Sequence, residues 1–187
     1  MELTITTAVI LTGGNARRMG GLRKELISYR GITLIERVHK VLSSVFQEIC
    51  LAGRPDDEGY GSLCISGIFP DEYPGRGPLA GIHAALKATG QTVFVTACDT
   101  PLLDAGLIRE QVNCFREGID ALVPRHPRGF EPLHAVYTPS CLSVAEAILR
   151  ENERPRIIEL LNSVKTYYWD IEYHEAFSNF NKPEDFR

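Results

Sequence analysis

Apolar and polar stretches alternate along the chain in blocks that set out the fold before any single residue is considered. Residues 5–12 (ITTAVILT) form an apolar run rich in β-branched side chains that stops at Gly13-Gly14, the pattern of a buried strand running into a turn. Thr33 is placed to cap a helix on which Leu34, Val38, Val41, Leu42 and Val45 recur at helical spacing, and residues 48–52 (EICLA) read as a second strand. Pro78 opens a helix bearing Leu79, Ile82, Ala85 and Leu86, Gly90 closes it, and residues 92–97 (TVFVTA) form a continuous apolar strand. Asp104 is placed to cap a helix carrying Leu107, Ile108, Val112 and Phe115, and residues 121–123 and 133–137 read as strands. Pro139 and Ser140 start a helix with Leu142, Ala145, Ile148 and Leu149. Residues 156–164 form one more short helix, and residues 166–171 (TYYWDI) an aromatic strand of the antiparallel or edge type. This alternation predicts an α/β three-layer sandwich on a mostly parallel twisted sheet, with ligand held at the carboxyl ends of the strands.

Composition narrows the picture further. With 187 residues, 44% of them apolar and 24% charged, the chain reads as one domain spanning residues 1–187 with a substantial core. Within it, residues 54–62 (RPDDEGYGS) and 125–130 (RHPRGF) read as exposed connections. A net charge of -4, from 20 basic and 24 acidic residues, offers no general field for a polyanion, so nucleic acid is not an expected partner. No apolar run approaches the ~18 residues of a membrane span, and the start lacks the basic flank of a secretory leader, so a cytoplasmic protein without membrane contact is expected. The five cysteines are odd in number and include no C-x-x-C pair, which predicts free thiols packed as small hydrophobes. The five histidines show no metal-ligand spacing, and His39 and His174 read as structural.

The candidate chemistry is concentrated in residues 11–24 (LTGGNARRMGGLRK), a loop with four glycines, adjacent arginines and a closing lysine. Glycines let successive N–H groups turn toward one concavity and let phosphate oxygens approach, while Arg and Lys supply compensating charge. The loop follows neither familiar phosphate pattern, because no Lys directly follows its last Gly and no G-x-G-x-x-G occurs in it. An ordinary ATPase and a nicotinamide dehydrogenase are thereby disfavoured. Asp99 follows an apolar strand where the crevice is expected, which suits a carboxylate ligand for Mg²⁺; a simple Asp-x-Pro turn is the competing reading. A helix starting at Pro78 would present free N–H groups to an anion, and Gly77 would let the main chain approach it closely.

The pattern L-x-G-G-x-x-x-R-M-G-x-x-x-K over Leu11 to Lys24 resembles the nucleotide-binding signature of the molybdenum cofactor guanylyltransferases, a MobA-like family. Three further segments fall in that family's order: Asp71 to Ile82 (DEYPGRGPLAGI), Ala97 to Pro101 (ACDTP) and Phe177 to Asp185 (FSNFNKPED). The resemblance implies a Rossmann-like nucleotidyltransferase fold. It also implies transfer of GMP from GTP to molybdenum-loaded molybdopterin, releasing pyrophosphate and forming molybdopterin guanine dinucleotide. Mg²⁺ would serve as cofactor, and no protein nucleophile is needed, since such transfer depends on positioning and positive charge. Arg18, Lys24 and Asp99 are the implied catalytic residues. The nucleotide would be held by Leu11, Thr12, Gly13, Gly14, Lys24, Asp71, Gly77, Pro78, Leu79 and Asp99. Gly13-Gly14 would lie near base and ribose, pointing to GTP rather than CTP, with Gly20-Gly21 near the phosphates. On the acceptor side the same resemblance implies Arg125, His134, Arg156, Asn179 and Asn181, beside the polar positions His126, Arg128 and Arg154. Asp99 would be the metal ligand, joined by Asn181, for which a turn before Lys182-Pro183 is the competing reading.

GTP and molybdopterin are the implied small-molecule partners, with proteins that supply molybdopterin and mature molybdoenzymes beyond them. Thr12, Arg23 and Leu51 depart from the family pattern. Arg23 sets a positive charge where an acidic or amide residue often precedes the lysine, and Leu51 removes a polar contact near the nucleotide, which leaves base selectivity open. Three alternatives stay open: another acceptor such as a sugar phosphate or a cobamide precursor, CTP as donor, or a non-catalytic carrier of GTP or cofactor.

Overall fold

The computed structural model describes residues 5–12, 23–53, 60–61 and 63–180. In chain order its elements are β1 (Thr7–Thr12), β2 (Ser28–Tyr29), β3 (Ile32–Thr33), α1 (Leu34–Leu42), β4 (Glu48–Gly53), β5 (Gly67–Pro70), α2 (Pro78–Thr89), β6 (Val93–Ala97), α3 (Ala105–Asn113), β7 (Ala121–His126), β8 (Gly129–Phe130), β9 (His134–Tyr137), α4 (Cys141–Glu151), α5 (Ile157–Ser163) and β10 (Thr166–Asp170).

Helix ends form where the sequence places their caps. The Thr33 hydroxyl accepts from the Glu36 N–H at 3.3 Å while the Glu36 carboxylate accepts from the Thr33 N–H at 2.6 Å, a reciprocal box that starts α1. Asp104 Oδ1 accepts from the Leu107 N–H at 2.7 Å to start α3. α2 begins with Pro78 in its first turn and ends at Gly90, whose φ of 61° is the left-handed value that glycine tolerates.

One eight-stranded sheet organises these elements, in the order β5-β4-β1-β6-β9-β7-β10, with β8 paired to β7. β5, β4, β1 and β6 run parallel, whereas β9 is antiparallel to both β6 and β7. Successive residues of β1 point to opposite faces, as the two-residue period of a strand requires. Val9 and Leu11 join Leu79, Ile82, Leu86, Leu149 and Leu160, so α2, α4 and α5 cover that face. Ala8 and Ile10 join Ile35, Val38, Leu42 and Ile108, so α1 and α3 cover the other. The three-layer α/β sandwich read from the sequence is thus observed.

Several local features differ from the sequence reading, among them Tyr60, which is buried although residues 54–62 read as exposed. The aromatic segment forms β10, an edge strand as read, and it pairs parallel to β7 because α4 and α5 carry the chain back across the sheet before it enters. Residues 125–130 are more than a connection: β7 continues to His126 and turns back through β8, with Arg125 opposite Phe130. β5 was not anticipated, since four residues ending in Pro70 carry too little alternation to register, and a sheet-edge position tolerates that proline. The five cysteines are free thiols; Cys50, Cys98 and Cys141 are buried, whereas Cys64 is exposed rather than packed. Among the described residues, no helix is long and apolar enough to cross a membrane.

Candidate functional site

The chain leaves β1 toward β4 on one side and returns to β6 on the other, so the order of strands reverses beside β1. A crevice opens at the carboxyl ends of strands at such a point. The ends are level there: Thr12 of β1 stands opposite Gly53 of β4, and Leu11 opposite Ala97 of β6.

Asp99 lies two residues beyond β6. Its Oδ2 accepts a hydrogen bond from Lys24 Nζ at 2.6 Å, in an ion pair whose side chains are 23% (Lys24) and 19% (Asp99) exposed, buried enough for strength yet reachable. The turn that carries Asp99 is closed by a different group, because Thr100 Oγ1 donates to the Ala97 carbonyl at 2.8 Å. The Asp99 carboxylate is therefore directed to a cation rather than spent on capping its own turn. The Cys98 N–H donates to the Leu11 carbonyl at 3.3 Å and the Phe180 N–H to the Asp99 carbonyl at 2.8 Å, which stitches β1, β6 and the C-terminal segment together. Exposed Asn179 is brought beside Asp99 by that last bond.

The donor-side candidates sit around the same sheet end. The Leu11 and Leu79 side chains are buried in the core, and a Cβ at Gly81 would lie 3.0 Å from Leu11 Cδ2, so α2 packs closely on β1. Thr12 is also buried, its hydroxyl donating to the Ala52 carbonyl at 3.4 Å, and these positions can serve a ligand through main-chain groups. Gly77 precedes α2 at φ 71°, a left-handed value that favours glycine, and nothing lies within 4 Å of the Cβ it lacks. Asp71 follows β5, donates its N–H to the Gly53 carbonyl at 3.2 Å, and accepts from the Tyr73 N–H at 2.7 Å. Burial pushes its carboxyl up, against the Tyr73 hydrogen bond that holds it down. Arg76 anchors this loop on the end of α4 by donating to the Leu149 carbonyl at 2.9 Å and to that of Asn152.

Among the described residues, the acceptor-side candidates stand on different elements. Arg125, at the end of β7, makes a two-pronged pair with Asp170 of β10, at 2.6 and 2.8 Å, so its charge is already matched across the sheet edge. Arg156 caps the start of α5 through a backbone N–H given to Glu159 at 3.3 Å. His134 is 2% exposed, with Nδ1 held 2.8 Å from Gln111 Oε1 and the ring set edge-on to Phe94 and Phe177. Burial lowers its pKa to about 4, so it is neutral at physiological pH and packs the core instead of offering charge to a phosphate. His126 is likewise buried, 2.9 Å from Glu131 and stacked on Phe177. Gly13, Gly14, Arg18, Gly20, Gly21 and Asn181 lie outside the described residues.

His134 makes a prediction about stability. An imidazole near pKa 6.5 in the unfolded chain and about 4 in the folded one means that the unfolded state binds more protons between those values, so stability falls as pH drops from 6.5 to 4. The loss is roughly 3 kcal/mol for this one group. Urea unfolding at pH 7.5 and pH 4 should show it, with a smaller drop in His134→Gln; an equal drop in that variant would assign the effect elsewhere.

Sequence reasoning missed one cluster. Glu25, next to Lys24, is 3% exposed, and its Oε1 accepts from Arg23 Nε at 3.0 Å and from Tyr60 Oη at 3.2 Å. The Arg23 guanidinium lies 4.8 Å above the centre of the Tyr60 ring. An acid between a lysine and a leucine reads as surface charge, and Tyr60 comes from a Gly- and Asp-rich stretch, so no local signal marks them as partners.

A lysine–carboxylate pair at the strand-order reversal and a crossover helix that starts at Gly77-Pro78 beside it, together with the phosphate-suited sequence of residues 11–24, fit a nucleotidyltransferase of α/β type. The chain belongs to the MobA-like NTP transferase domain family, whose sequence model matches residues 8–166. It is 38% identical over 148 residues to the molybdenum cofactor guanylyltransferase of Desulfosudis oleivorans, covering 78% of this chain and 71% of that protein. It is 32% identical over 185 residues to the enzyme of the same name from Aliivibrio fischeri, covering 96% and 93%. The crystal structure of molybdopterin-guanine dinucleotide biosynthesis protein A from Archaeoglobus fulgidus superposes with a TM-score of 0.79 at 27% identity, over 97% of this chain and 95% of that one.

Proposed function

We propose that residues 1–187 form one nucleotidyltransferase domain that transfers GMP from GTP to molybdenum-loaded molybdopterin. An oxygen of the acceptor's terminal phosphate attacks the α-phosphorus of GTP, the bond from that phosphorus to the bridging oxygen breaks, and pyrophosphate leaves as molybdopterin guanine dinucleotide forms. Family membership and relatives bearing the guanylyltransferase name support this reading, and the observation that carries it is the Lys24–Asp99 pair at the carboxyl ends of β1 and β6.

Such a transfer needs an in-line arrangement and positive charge on the phosphate oxygens rather than a covalent intermediate. Lys24 supplies a compact ammonium donor beside the crevice, and its attraction to the phosphates rises as charge gathers on the departing pyrophosphate. The start of α2 stands at the same end of the sheet, and the positive end of its dipole suits an anionic group. Asp71 is assigned to the guanosine part and Asn179 to the acceptor side.

The residues present fit magnesium. Asp99 is a hard oxygen ligand, partly exposed and outside its own turn's hydrogen bonding, and Mg²⁺ takes one or two carboxylates and completes its shell with phosphate and water. Asp99 would hold it, with Asn181 as the second ligand, and the bound ion supplies positive charge to the phosphates. We place the reaction in the cytoplasm, between proteins that make molybdopterin and those that mature molybdoenzymes.

Titration calorimetry with GTP, CTP and ATP in the presence of Mg²⁺ tests the donor. GTP should bind at least about tenfold more tightly than CTP, a difference of about 1.4 kcal/mol. Equal affinity for the two, or preference for CTP, would overturn the guanine assignment.

A further inference from the structure

The Arg23–Glu25–Tyr60 cluster is costly to build and sits where it controls Lys24. A carboxylate that is 3% exposed is tolerated only when its oxygens are hydrogen-bonded and its charge is matched. Glu25 meets that condition through Arg23 Nε and Tyr60 Oη, with Arg23 also lying over the Tyr60 ring. Burial and the nearby Glu25 carboxylate both raise the Tyr60 phenol, which keeps it a hydrogen-bond donor.

Lys24 itself belongs to a single 3₁₀ turn, Lys24–Leu26, whose N-cap Arg23 makes no side-chain cap hydrogen bond. A turn that short has little stability of its own, so contacts beyond it decide where it rests. Here the residues on either side of Lys24 are tied together and to Tyr60, 35 positions further along. Tyr60 in turn belongs to the buried apolar cluster that includes Ile10 of β1 and Leu51 of β4. The tether therefore runs from the rigid sheet to the backbone on both sides of Lys24, and it fixes the origin of a long flexible stem whose ammonium must reach Asp99.

We propose that Glu25, held by Arg23 and Tyr60, is a positioning residue that sets the Lys24 ammonium on Asp99 for phosphoryl transfer. The inference rests on the nucleotidyltransferase reading above for its catalytic consequence, but not for the placement of Lys24. It also accounts for Arg23: the positive charge that departs from the family pattern finds its counter-charge one residue past the lysine, so the loop gains little net charge from it.

Two variants and two readouts test this. Tyr60→Phe keeps the buried ring and removes one hydrogen bond, so it preserves the fold, while Glu25→Gln keeps shape and removes charge. In both, kcat for pyrophosphate release should fall about tenfold or more with KM for GTP within about threefold, because misplacing a catalytic group by a fraction of an ångström affects the reacting geometry more than ground-state binding. Independently of turnover, the rate at which an amine-acylating reagent labels Lys24, followed by peptide mass spectrometry, should rise several-fold in both variants as the ammonium leaves Asp99. Unchanged labelling of Lys24 in both variants overturns the positioning role, even where kcat falls, and so does an unchanged kcat in an active enzyme. Faster labelling in the variants of a protein that releases no pyrophosphate from any nucleotide upholds the positioning and removes the transfer reading instead.

Discussion

Replacing Lys24 with alanine is expected to slow pyrophosphate release from GTP by on the order of 100-fold or more, with the larger part of the loss in kcat. The ammonium lies 2.6 Å from Asp99 Oδ2 beyond the carboxyl end of β6, and charge on the phosphate oxygens is greater in the transition state than in bound GTP. An interaction that strengthens along the reaction contributes to rate more than to affinity. The substitution should leave the fold in place, since Lys24 is partly exposed and belongs to a short turn outside the sheet. Steady-state kinetics beside thermal unfolding separates the two effects. A folded Lys24→Ala protein with a rate within threefold of the parent would remove Lys24 from the mechanism.

Asp99→Ala is expected to abolish Mg²⁺-dependent turnover altogether. Its carboxylate contributes little to the local structure, because the turn is closed by the Thr100 hydroxyl and the C-terminal segment is attached through the Asp99 carbonyl. What the substitution removes is the hard oxygen ligand and the partner of Lys24. Asp99→Asn retains one oxygen of similar placement without the charge, so it should keep a trace of activity and need far more Mg²⁺ to reach it. Titrating Mg²⁺ against rate at fixed GTP checks both variants. An Asp99→Ala protein with unaltered rate and unaltered Mg²⁺ dependence would show that the metal, if used, is held elsewhere.

The layers of the fold were legible in the sequence because each depends on local chemistry. Thr33, Pro78 with Gly90, and Asp104 are start and stop signals whose meaning lies within a few residues. The apolar runs at 5–12 and 92–97 could scarcely be anything but central strands. What escaped was set by distant partners. The direction of β10 depends on the passage of α4 and α5 across the sheet, and β5 is a strand because β4 offers it an edge.

The site divides along the same line. Lys24 and Asp99 were readable singly, and the structure brings them together across 75 positions of sequence. Arg125 and His134 looked like acceptor-side charge because an isolated Arg or His gives no sign of its own neighbours. Asp170 satisfies the first, and burial neutralises the second. Glu25 is the converse case, a residue that looks like surface and is held inside by Tyr60.

Incubation of the purified protein with Mg²⁺, GTP labelled at the α-phosphate and molybdenum-loaded molybdopterin, with products separated and weighed, tests the central claim most directly. The label should move into molybdopterin guanine dinucleotide with one pyrophosphate released for each, and CTP and ATP should give far less. Label remaining in GTP, or moving only to another acceptor such as a sugar phosphate, would contradict it.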